Sequence, residues 1–329
     1  MFVMTDPFSL HTFGEGPTVV FCWTDTLHYL WDVMVTVMVR RAASHRCEFR
    51  VRQLAQPPPP RGGAIVAIVV PFRKQKDQDR AAQLHKFLDH MNTFLTAAAD
   101  GVMFVVVIVQ QSDDGRSFNR GALLNVGFRE AARYAAPSSL VSLILHDVDL
   151  LPSASLLRWY QEWPERGRPT HLAGPDQWRK YAMPGYEDIF FGGVTALHPA
   201  DFEAANGFPN DYWGWGMEDD QLRLRVEASG GLARGVARPP KGAGSYNDLD
   251  QIKMLSLLET RETAMRNADR FNAYMFQPQP GPSGARQRLD VEWRHANGLA
   301  GLRYEAISRD LRALAPSVAH VHVVVNLDK

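Results

Sequence analysis

The fold of this chain is decided by an apolar run that ends in an arginine, Ala64-Ile65-Val66-Ala67-Ile68-Val69-Val70-Pro71-Phe72-Arg73. The run is short, rich in β-branched residues and free of polar interruptions, which is typical of a strand buried on both faces. Two further apolar runs, residues 102–109 and 140–145, repeat this pattern. We therefore predict three strands of one central sheet.

Helical patterns fill the gaps between these strands. Residues 83–99 carry Leu84, Phe87 and Met91 on one helical face, and residues 119–136 form a second apolar pattern. The alternation of strand and helix predicts an α/β fold with a mostly parallel central sheet flanked by helices. Ligands of such sheets bind beyond the carboxyl ends of the strands.

An acidic motif follows the third strand. Asp147-Val148-Asp149 comes directly after the apolar run and His146. Carboxylate oxygens suit a hard divalent cation that also binds a diphosphate. The alternative is that the triplet caps a helix beginning near Ser153.

Two arginines have a similar position relative to the strands. Arg73 follows the first strand, and Arg120 opens the second helix after Phe118 and Asn119. An arginine there is able to bind a phosphate or the edge of a uracil. Exposure of Arg73 to solvent and ordinary packing in the first helical turn are the alternatives.

Residues 190–220 contain the highest concentration of candidate site residues. Glycines alternate with Trp213 and Trp215, and three carboxylates follow in Glu218-Asp219-Asp220. Aromatic faces suit sugars and bases, glycines allow close backbone approach, and a carboxylate is able to act as a general base. A tight turn with a buried tryptophan is the alternative, but it leaves the carboxylates unexplained.

Composition limits the classes of partner. The 329 residues have a formal net charge of zero, which gives no general attraction for nucleic acid. The two cysteines, Cys22 and Cys47, fit either one disulfide or two free thiols. The apolar run 17–39 is interrupted by Asp25 and Asp32, so we expect no clear membrane segment.

The chain is predicted to divide at a proline-rich stretch. Residues 56–63 contain four consecutive prolines and two glycines, which indicates a linker. Residues 1–55 then form an N-terminal extension of unclear role, and residues 64–329 form the catalytic domain. Within that domain we predict a helix over 252–268 and a strand over 320–327.

The order and spacing of the motifs resemble the β-1,4-galactosyltransferase family. The resemblance is carried by segments 71–73, 118–128, 146–152, 191–194, 206–220 and 297–304. It implies a GT-A-type nucleotide-sugar-binding fold, a UDP-sugar donor, a glycan or glycoconjugate acceptor and Mn²⁺ or another divalent cation. It also implies the Golgi lumen, with a soluble location as the alternative.

The resemblance implies roles for individual residues. Asp219 matches the catalytic base, with Glu218 beside it in the catalytic group. Trp215, Asp220 and Phe190 match acceptor-site positions, and Asp149 matches a metal ligand. The donor-binding set is Pro71, Phe72, Arg73, Phe118, Arg120, Asp147, Val148, Asp149, Gly193 and Trp215.

This sequence departs from the family pattern at three places. Gln75 stands where a second donor arginine is common, and Arg80 is its possible replacement. No histidine occurs between Gly216 and His295, where the family completes its metal site. Asp248 and Asp250 are the candidates for that role, and Asp248 is taken as the second metal ligand beside Asp149.

The third departure is Phe190, where galactose-specific members commonly carry tyrosine. The predicted reaction is metal-dependent, inverting transfer of galactose from UDP-galactose to a terminal sugar hydroxyl in a β-1,4 linkage. Transfer of N-acetylgalactosamine is one alternative, because Phe190 removes a hydroxyl from the donor pocket. A non-catalytic glycan-binding descendant is another, because of the missing histidine.

Overall fold

The computed structural model describes residues 2–3, 11–12, 36–37, 50–51, 63–75, 79–98, 101–135, 139–181, 185, 188–250, 258–275, 296–315 and 317–328. The chain separates into two units, Met1–Pro58 and Pro59–Lys329. In the first unit, β1 (Phe2–Val3) pairs with β2 (His11–Thr12), and β3 (Thr36–Val37) pairs with β4 (Arg50–Val51). Cys22, Cys47, the linker 56–62 and most of run 17–39 lie outside the described residues.

The second unit is built on a seven-stranded sheet with the order β12-β13-β6-β5-β7-β10-β9. Its four central strands, β13, β6, β5 and β7, are parallel, while β12, β10 and β9 pair antiparallel at the two sides. The bounds are β5 Ala64–Phe72, β6 Val102–Gln111, β7 Leu140–His146, β9 Thr170–His171, β10 Val194–Leu197, β12 Tyr304–Ala315 and β13 Val318–Leu327. The predicted mostly parallel central sheet is confirmed, and antiparallel strands are added at its two edges.

Helices cover both faces of this sheet. The predicted helices appear as α1 (Arg80–Thr96) and α2 (Arg120–Ala131). Each begins at a side-chain cap, since Asp79 accepts from the backbone N–H of Ala82 and Asn119 from that of Ala122. Alternate residues of the buried strands therefore pack into two apolar cores, one beneath α1 and one beneath α2.

The second unit also contains further helices and short strands. They are β8 Leu150–Pro152, α3 Leu157–Gln161, α4 Pro199–Ala204, α5 Glu218–Ala228, β11 Tyr246–Asp248 and α6 Leu258–Met275. The predicted helix 252–268 is found as α6, with residues 251–257 outside the described part. The 3₁₀ turn Ala154–Leu156 begins after Ser153 and has no side-chain cap, so the acidic triplet does not serve as one.

Parallel pairing explains why the motifs meet. Strands β5 and β7 are paired in parallel and end at Phe72 and His146, so Arg73 and Asp147 leave the same edge of the sheet. β8 then pairs antiparallel with β11, which sets Asp248 opposite Leu150 and close to Asp149. Within the described residues, none of the helices is long and apolar enough to cross a bilayer.

Helix α2 approaches β5 closely at Gly127. A Cβ built on Gly127 would lie 2.0 Å from a methyl group of Val69. We expect Gly127→Ala to lower the free energy of unfolding by about 1–3 kcal/mol, because the buried strand has no room to move away. Urea unfolding of both proteins measures this difference, and an unchanged midpoint would contradict the packing described.

Candidate active site

One cleft at the carboxyl edge of the sheet contains nearly every predicted site residue. Its volume is about 1000 Å³. The predicted residues among those that line it are Pro71, Phe72, Arg73, Phe118, Arg120, Asp147, Val148, Asp149, Phe190, Gly193, Trp215, Glu218, Asp219 and Asp220. Asp248 does not line the cleft, whereas Asp250 does.

Arg120 connects the acidic residues of two separate elements. Its Nε donates to Asp147 Oδ1 at 2.7 Å and its Nη1 to Asp219 Oδ1 at 2.6 Å. Nη1 also lies 3.5 Å from Glu218 Oε1. The side chain of Arg120 is only 12% exposed, so Asp147 and Asp219 balance a charge that water reaches poorly. The side chain expected to bind the nucleotide therefore also organises the carboxylates.

The three consecutive carboxylates form the first turn of α5. Met217 precedes them with a φ of +71°, a left-handed conformation that starts the helix without a side-chain cap. Acidic side chains are stabilised at a helix N-terminus by the backbone dipoles. The helix therefore favours a cluster of charge that would otherwise repel itself.

Glycine is required where the loop 190–193 meets Asp219. A Cβ on Gly192 would lie 2.4 Å from Asp219 Oδ2, and one on Gly193 would lie 2.8 Å from the Trp178 ring. His171 fixes this loop by donating from Nε2 to the carbonyl of Gly192 at 2.9 Å. Burial lowers the pKa of His171 to about 3, so the imidazole is neutral. One oxygen of Asp219 thus faces Arg120 while the other lies against Gly192.

At the other end of the cleft, Arg73 and Phe118 lie side by side. The Arg73 guanidinium is 6.0 Å from the centre of the Phe118 ring and donates to the carbonyl of Arg116. The carbonyl of Phe118 accepts from the backbone N–H of Gly214 at 2.7 Å. This contact ties the start of α2 to the loop that carries Trp215.

The Trp215 loop is held by α6. The backbone N–H of Trp215 donates to Thr263 Oγ1 at 3.2 Å, and Asn267 Nδ2 donates to the Trp215 carbonyl at 3.2 Å. Gly214 has a φ of +86°, and a Cβ there would lie 2.4 Å from Thr263. The contacts of α6 therefore set the position of the tryptophan.

A buried hydrogen-bond chain lies beneath the acidic motif. His146 Nδ1 donates to the carbonyl of Asp147 at 2.8 Å, and a carbonyl only accepts, so Nε2 accepts from Tyr160 at 2.8 Å. Tyr160 in turn accepts from Tyr246 at 3.0 Å. Burial lowers the pKa of His146 to about 4, which keeps it neutral. The chain joins the end of β7 to β11.

The candidate metal ligands lie at one end of the β8–β11 pair, where Asp248 is opposite Leu150 and Asp149 precedes Leu150. The backbone N–H of Leu249 donates to the Asp149 carbonyl at 2.8 Å, which keeps the two segments together. Burial and Asp147 raise the pKa of Asp149 to about 6; Arg80 opposes this, and Asp248 and Asp250 add to it. Arg80 Nη1 lies 3.2 Å from Asp149 Oδ2.

Lys180 forms ion pairs with the other two carboxylates, Asp248 and Asp250. Lys180 Nζ is 3.2 Å from Asp248 Oδ2 and 3.5 Å from Asp250 Oδ2. Trp178 Nε1 donates to the same oxygen of Asp248 at 3.0 Å, and its ring centre lies 5.4 Å from Lys180 Nζ. Asp248, Asp250, Lys180 and Trp178 therefore form one cluster beside Asp149.

These residues fit a hard divalent cation by their chemistry. In the described part of the chain, no three carboxylate, imidazole or thiol side chains are already arranged as a metal site. However, Asp149, Asp248 and Asp250 offer only carboxylate oxygens, which hard divalent cations prefer. The ammonium of Lys180 lies against two of them as a cation would.

Sequence reasoning missed Lys180 and Trp178. Neither belongs to a recognisable motif, and their partners are about 70 residues further along the chain. It also missed that α6 holds the Trp215 loop, since Thr263 and Asn267 are ordinary polar positions of a helix. The acidic pair in 246–250 was visible in the sequence, but the choice of Asp248 over Asp250 was not determined by it.

Two family models match the chain. One, described as the N-terminal region of glycosyl transferase group 7, matches residues 31–159. The other, described as the N-terminal domain of galactosyltransferase, matches residues 177–252. Together they cover more than half of the chain, including all three carboxylates at the start of α5.

Individual relatives agree with these models. The chain is 39% identical over 197 residues to β-1,4-galactosyltransferase 7 of Drosophila melanogaster, covering 59% of this chain and 54% of the relative. It is 33% identical over 252 residues to β-1,4-galactosyltransferase 3 of Bos taurus, covering 77% of this chain and 54% of the relative. The chain thus spans about half the length of these curated relatives.

Solved structures give the same result. The catalytic domain of Drosophila β-1,4-galactosyltransferase 7 in complex with xylobiose superposes with a TM-score of 0.56 at 27% identity, covering 81% of this chain and 95% of that one. A mutant of that enzyme in complex with manganese, UDP-Gal and xylobiose gives a TM-score of 0.55 at 27% identity, with the same coverage.

The fold is therefore that of a GT-A-type glycosyltransferase. The chain belongs to the β-1,4-galactosyltransferase family, as its motifs indicated.

The buried carboxyl of Glu218 gives the site a pH dependence. Burial and the neighbouring Asp219 raise the pKa of Glu218 from 4.5 to about 8, while Arg120 opposes the shift. The folded state thus binds a proton that the unfolded chain releases at lower pH. The associated stability is present at acidic pH and is lost as the pH rises towards about 8.

We expect the substitution Glu218→Gln to remove this loss of stability at higher pH. Near pH 5 the two proteins should have similar free energies of unfolding, and near pH 8 the variant should be more stable by at least about 1 kcal/mol. Urea unfolding at both pH values measures the difference. Parallel stabilities of the two proteins across this range would show that Glu218 ionises normally in the folded protein.

Proposed function

We propose that this protein transfers galactose from UDP-galactose to a terminal sugar hydroxyl with inversion, giving a β-1,4 linkage. The observation that carries the proposal is the bridge formed by Arg120. It holds Asp147, at the end of β7, and Asp219, at the start of α5, on one guanidinium in the cleft. A donor-binding motif and a candidate base thereby share one site.

The donor is proposed to bind along the carboxyl ends of β5 and β7. Arg73 and Phe118 lie together where the uridine is expected, and Asp147 to Asp149 lie where the diphosphate is expected. The neighbour solved with manganese, UDP-Gal and xylobiose supports UDP-galactose as the donor.

Asp219 is proposed as the general base. Its Oδ1 accepts from Arg120, so Oδ2 takes the proton of the acceptor hydroxyl. The hydroxyl oxygen then forms a bond to C1 of galactose as the bond from C1 to the UDP oxygen breaks. Attack from the face opposite UDP inverts C1, and a base held within reach of the hydroxyl supplies the required orientation.

Asp149 and Asp248, with Asp250 beside them, would hold the divalent cation. When bound, such a cation neutralises the charge that develops on the departing diphosphate. Arg80 lies 3.2 Å from Asp149 and adds positive charge to the same region. The Mn²⁺ expected from the family resemblance is thus part of the proposal.

The acceptor is proposed to end in xylose. Both solved neighbours contain xylobiose, which supports xylose over N-acetylglucosamine or glucose as the terminal sugar of the acceptor. Trp215, Asp220 and Phe190 line the part of the cleft proposed for it. The Golgi lumen, which the family resemblance implies, is the proposed compartment.

Phe190 gives a reason to test a second donor. Its ring packs 5.3 Å from His171 and 6.0 Å from Trp178 and has no hydroxyl to offer a sugar. UDP-N-acetylgalactosamine is therefore included as the alternative donor.

The proposal is tested by UDP release from both donors over xylose, N-acetylglucosamine and glucose acceptors, with Mn²⁺ or EDTA. We expect metal-dependent release from UDP-galactose that xylosides stimulate. In Asp219→Asn the stimulated rate should fall by about 100-fold or more, because the base is lost.

The exposed Asp176→Asn serves as the matched control and should keep the wild-type rate. UDP binding without release from either donor would favour a non-catalytic glycan-binding protein. Undiminished release in Asp219→Asn would remove that residue from the proposed mechanism.

Gly192→Ala tests the position of the base without changing the base itself. Because the added methyl group would lie 2.4 Å from Asp219 Oδ2, the carboxylate must move. We expect kcat to fall by roughly 100-fold, because small displacements of reacting groups slow a reaction by that order. UDP binding, measured by calorimetry, should be retained. A wild-type kcat in this variant would mean that Asp219 needs no precise placement.

A further inference from the structure

Lys180 occupies an unusual position for a residue that the motifs do not include. It lies in the 3₁₀ turn Arg179–Tyr181, and its side chain is 30% exposed and lines the cleft. Its ammonium contacts both Asp248 and Asp250. The ammonium of Lys180 therefore occupies oxygens that a divalent cation would need.

The charges of this cluster do not balance. Asp149, Asp248 and Asp250 carry three negative charges, and Arg80 and Lys180 supply two positive ones. A diphosphate would add further negative charge to the same place. An additional cation is therefore favoured once the donor is present, but not as strongly before it arrives.

The two protein cations are held differently. Arg80 is fixed by Gln83 at 2.8 Å and by Gln75 at 3.3 Å in addition to Asp149. Lys180 has a flexible stem, and its ammonium is a compact charge with rotatable donors. Of these two, Lys180 is the one suited to leave the carboxylates and contact a diphosphate instead.

We propose that Lys180 competes with the divalent cation for Asp248 and Asp250 and thereby makes metal binding depend on the nucleotide. Without a diphosphate, the ammonium holds the carboxylates and metal binding is weak. With UDP bound, Lys180 has an alternative anionic partner and releases the oxygens to the metal. The inference rests on the proposed function. It adds that the nucleotide and the metal bind cooperatively.

The experiment measures Mn²⁺ binding by electron paramagnetic resonance, with and without UDP, on wild type and Lys180→Met. For wild type we expect UDP to tighten Mn²⁺ binding by about tenfold or more, a coupling of ordinary size. In Lys180→Met, Mn²⁺ alone should bind about tenfold more tightly than to wild type, and the enhancement by UDP should shrink correspondingly.

Two further variants make the result specific. Lys180→Arg keeps the positive charge and should retain the weak binding of Mn²⁺ alone. Lys86→Met makes the same chemical change on the exposed face of α1 and should behave as wild type. Circular dichroism of each variant checks that the fold is retained.

The outcomes separate this inference from the proposed function. If wild type binds UDP and Mn²⁺ but Lys180→Met binds Mn²⁺ alone no more tightly than wild type, the competition is wrong and the transferase proposal stands. If wild type binds neither UDP nor Mn²⁺, both proposals are overturned.

Discussion

The site depends on one buried guanidinium. Arg120 begins α2 and neutralises Asp147 at the end of β7 and Asp219 at the start of α5, with Glu218 close by. Without this positive charge, several carboxylates would lie together at poorly hydrated positions, which costs several kcal/mol per unpaired buried ion. Arg120 therefore joins the end of β7 to the start of α5 and offsets the negative charge that the two elements bring together.

Much of the fold could be predicted from the sequence because its signals are local. The apolar runs that became β5, β6 and β7 are long enough to identify buried strands, and their spacing required crossover helices. Helix ends were less accurate: residues 119–136 were predicted as helical, but α2 ends at Ala131. No glycine follows Ala131 directly, and the first strong stop signal is Pro137, so the sequence alone favours a helix that runs to residue 136.

The site was partly predictable for a different reason. Asp147, Asp149 and Asp219 stand in motifs whose spacing carries information, whereas Lys180 and Trp178 act through contacts with residues far along the chain. Such long-range pairs leave no periodic pattern, so only the folded structure brings them to view. The contacts of Arg120 with both Asp147 and Asp219 could not be predicted either, because the sequence does not show which carboxylates an arginine will contact.

The two edge strands of the sheet, β12 and β9, affect how the protein behaves at high concentration. On one side, β9 is two residues long; on the other, within the described residues, β12 pairs only with β13 and is largely exposed. Strand β12 carries Glu305, Arg309, Asp310 and Arg312, and its pairing is interrupted by two irregularities. Charges and bulges on an edge strand discourage a second sheet from adding to it. These features of β12 oppose edge-to-edge pairing of this sheet, whose central strands are rich in β-branched residues.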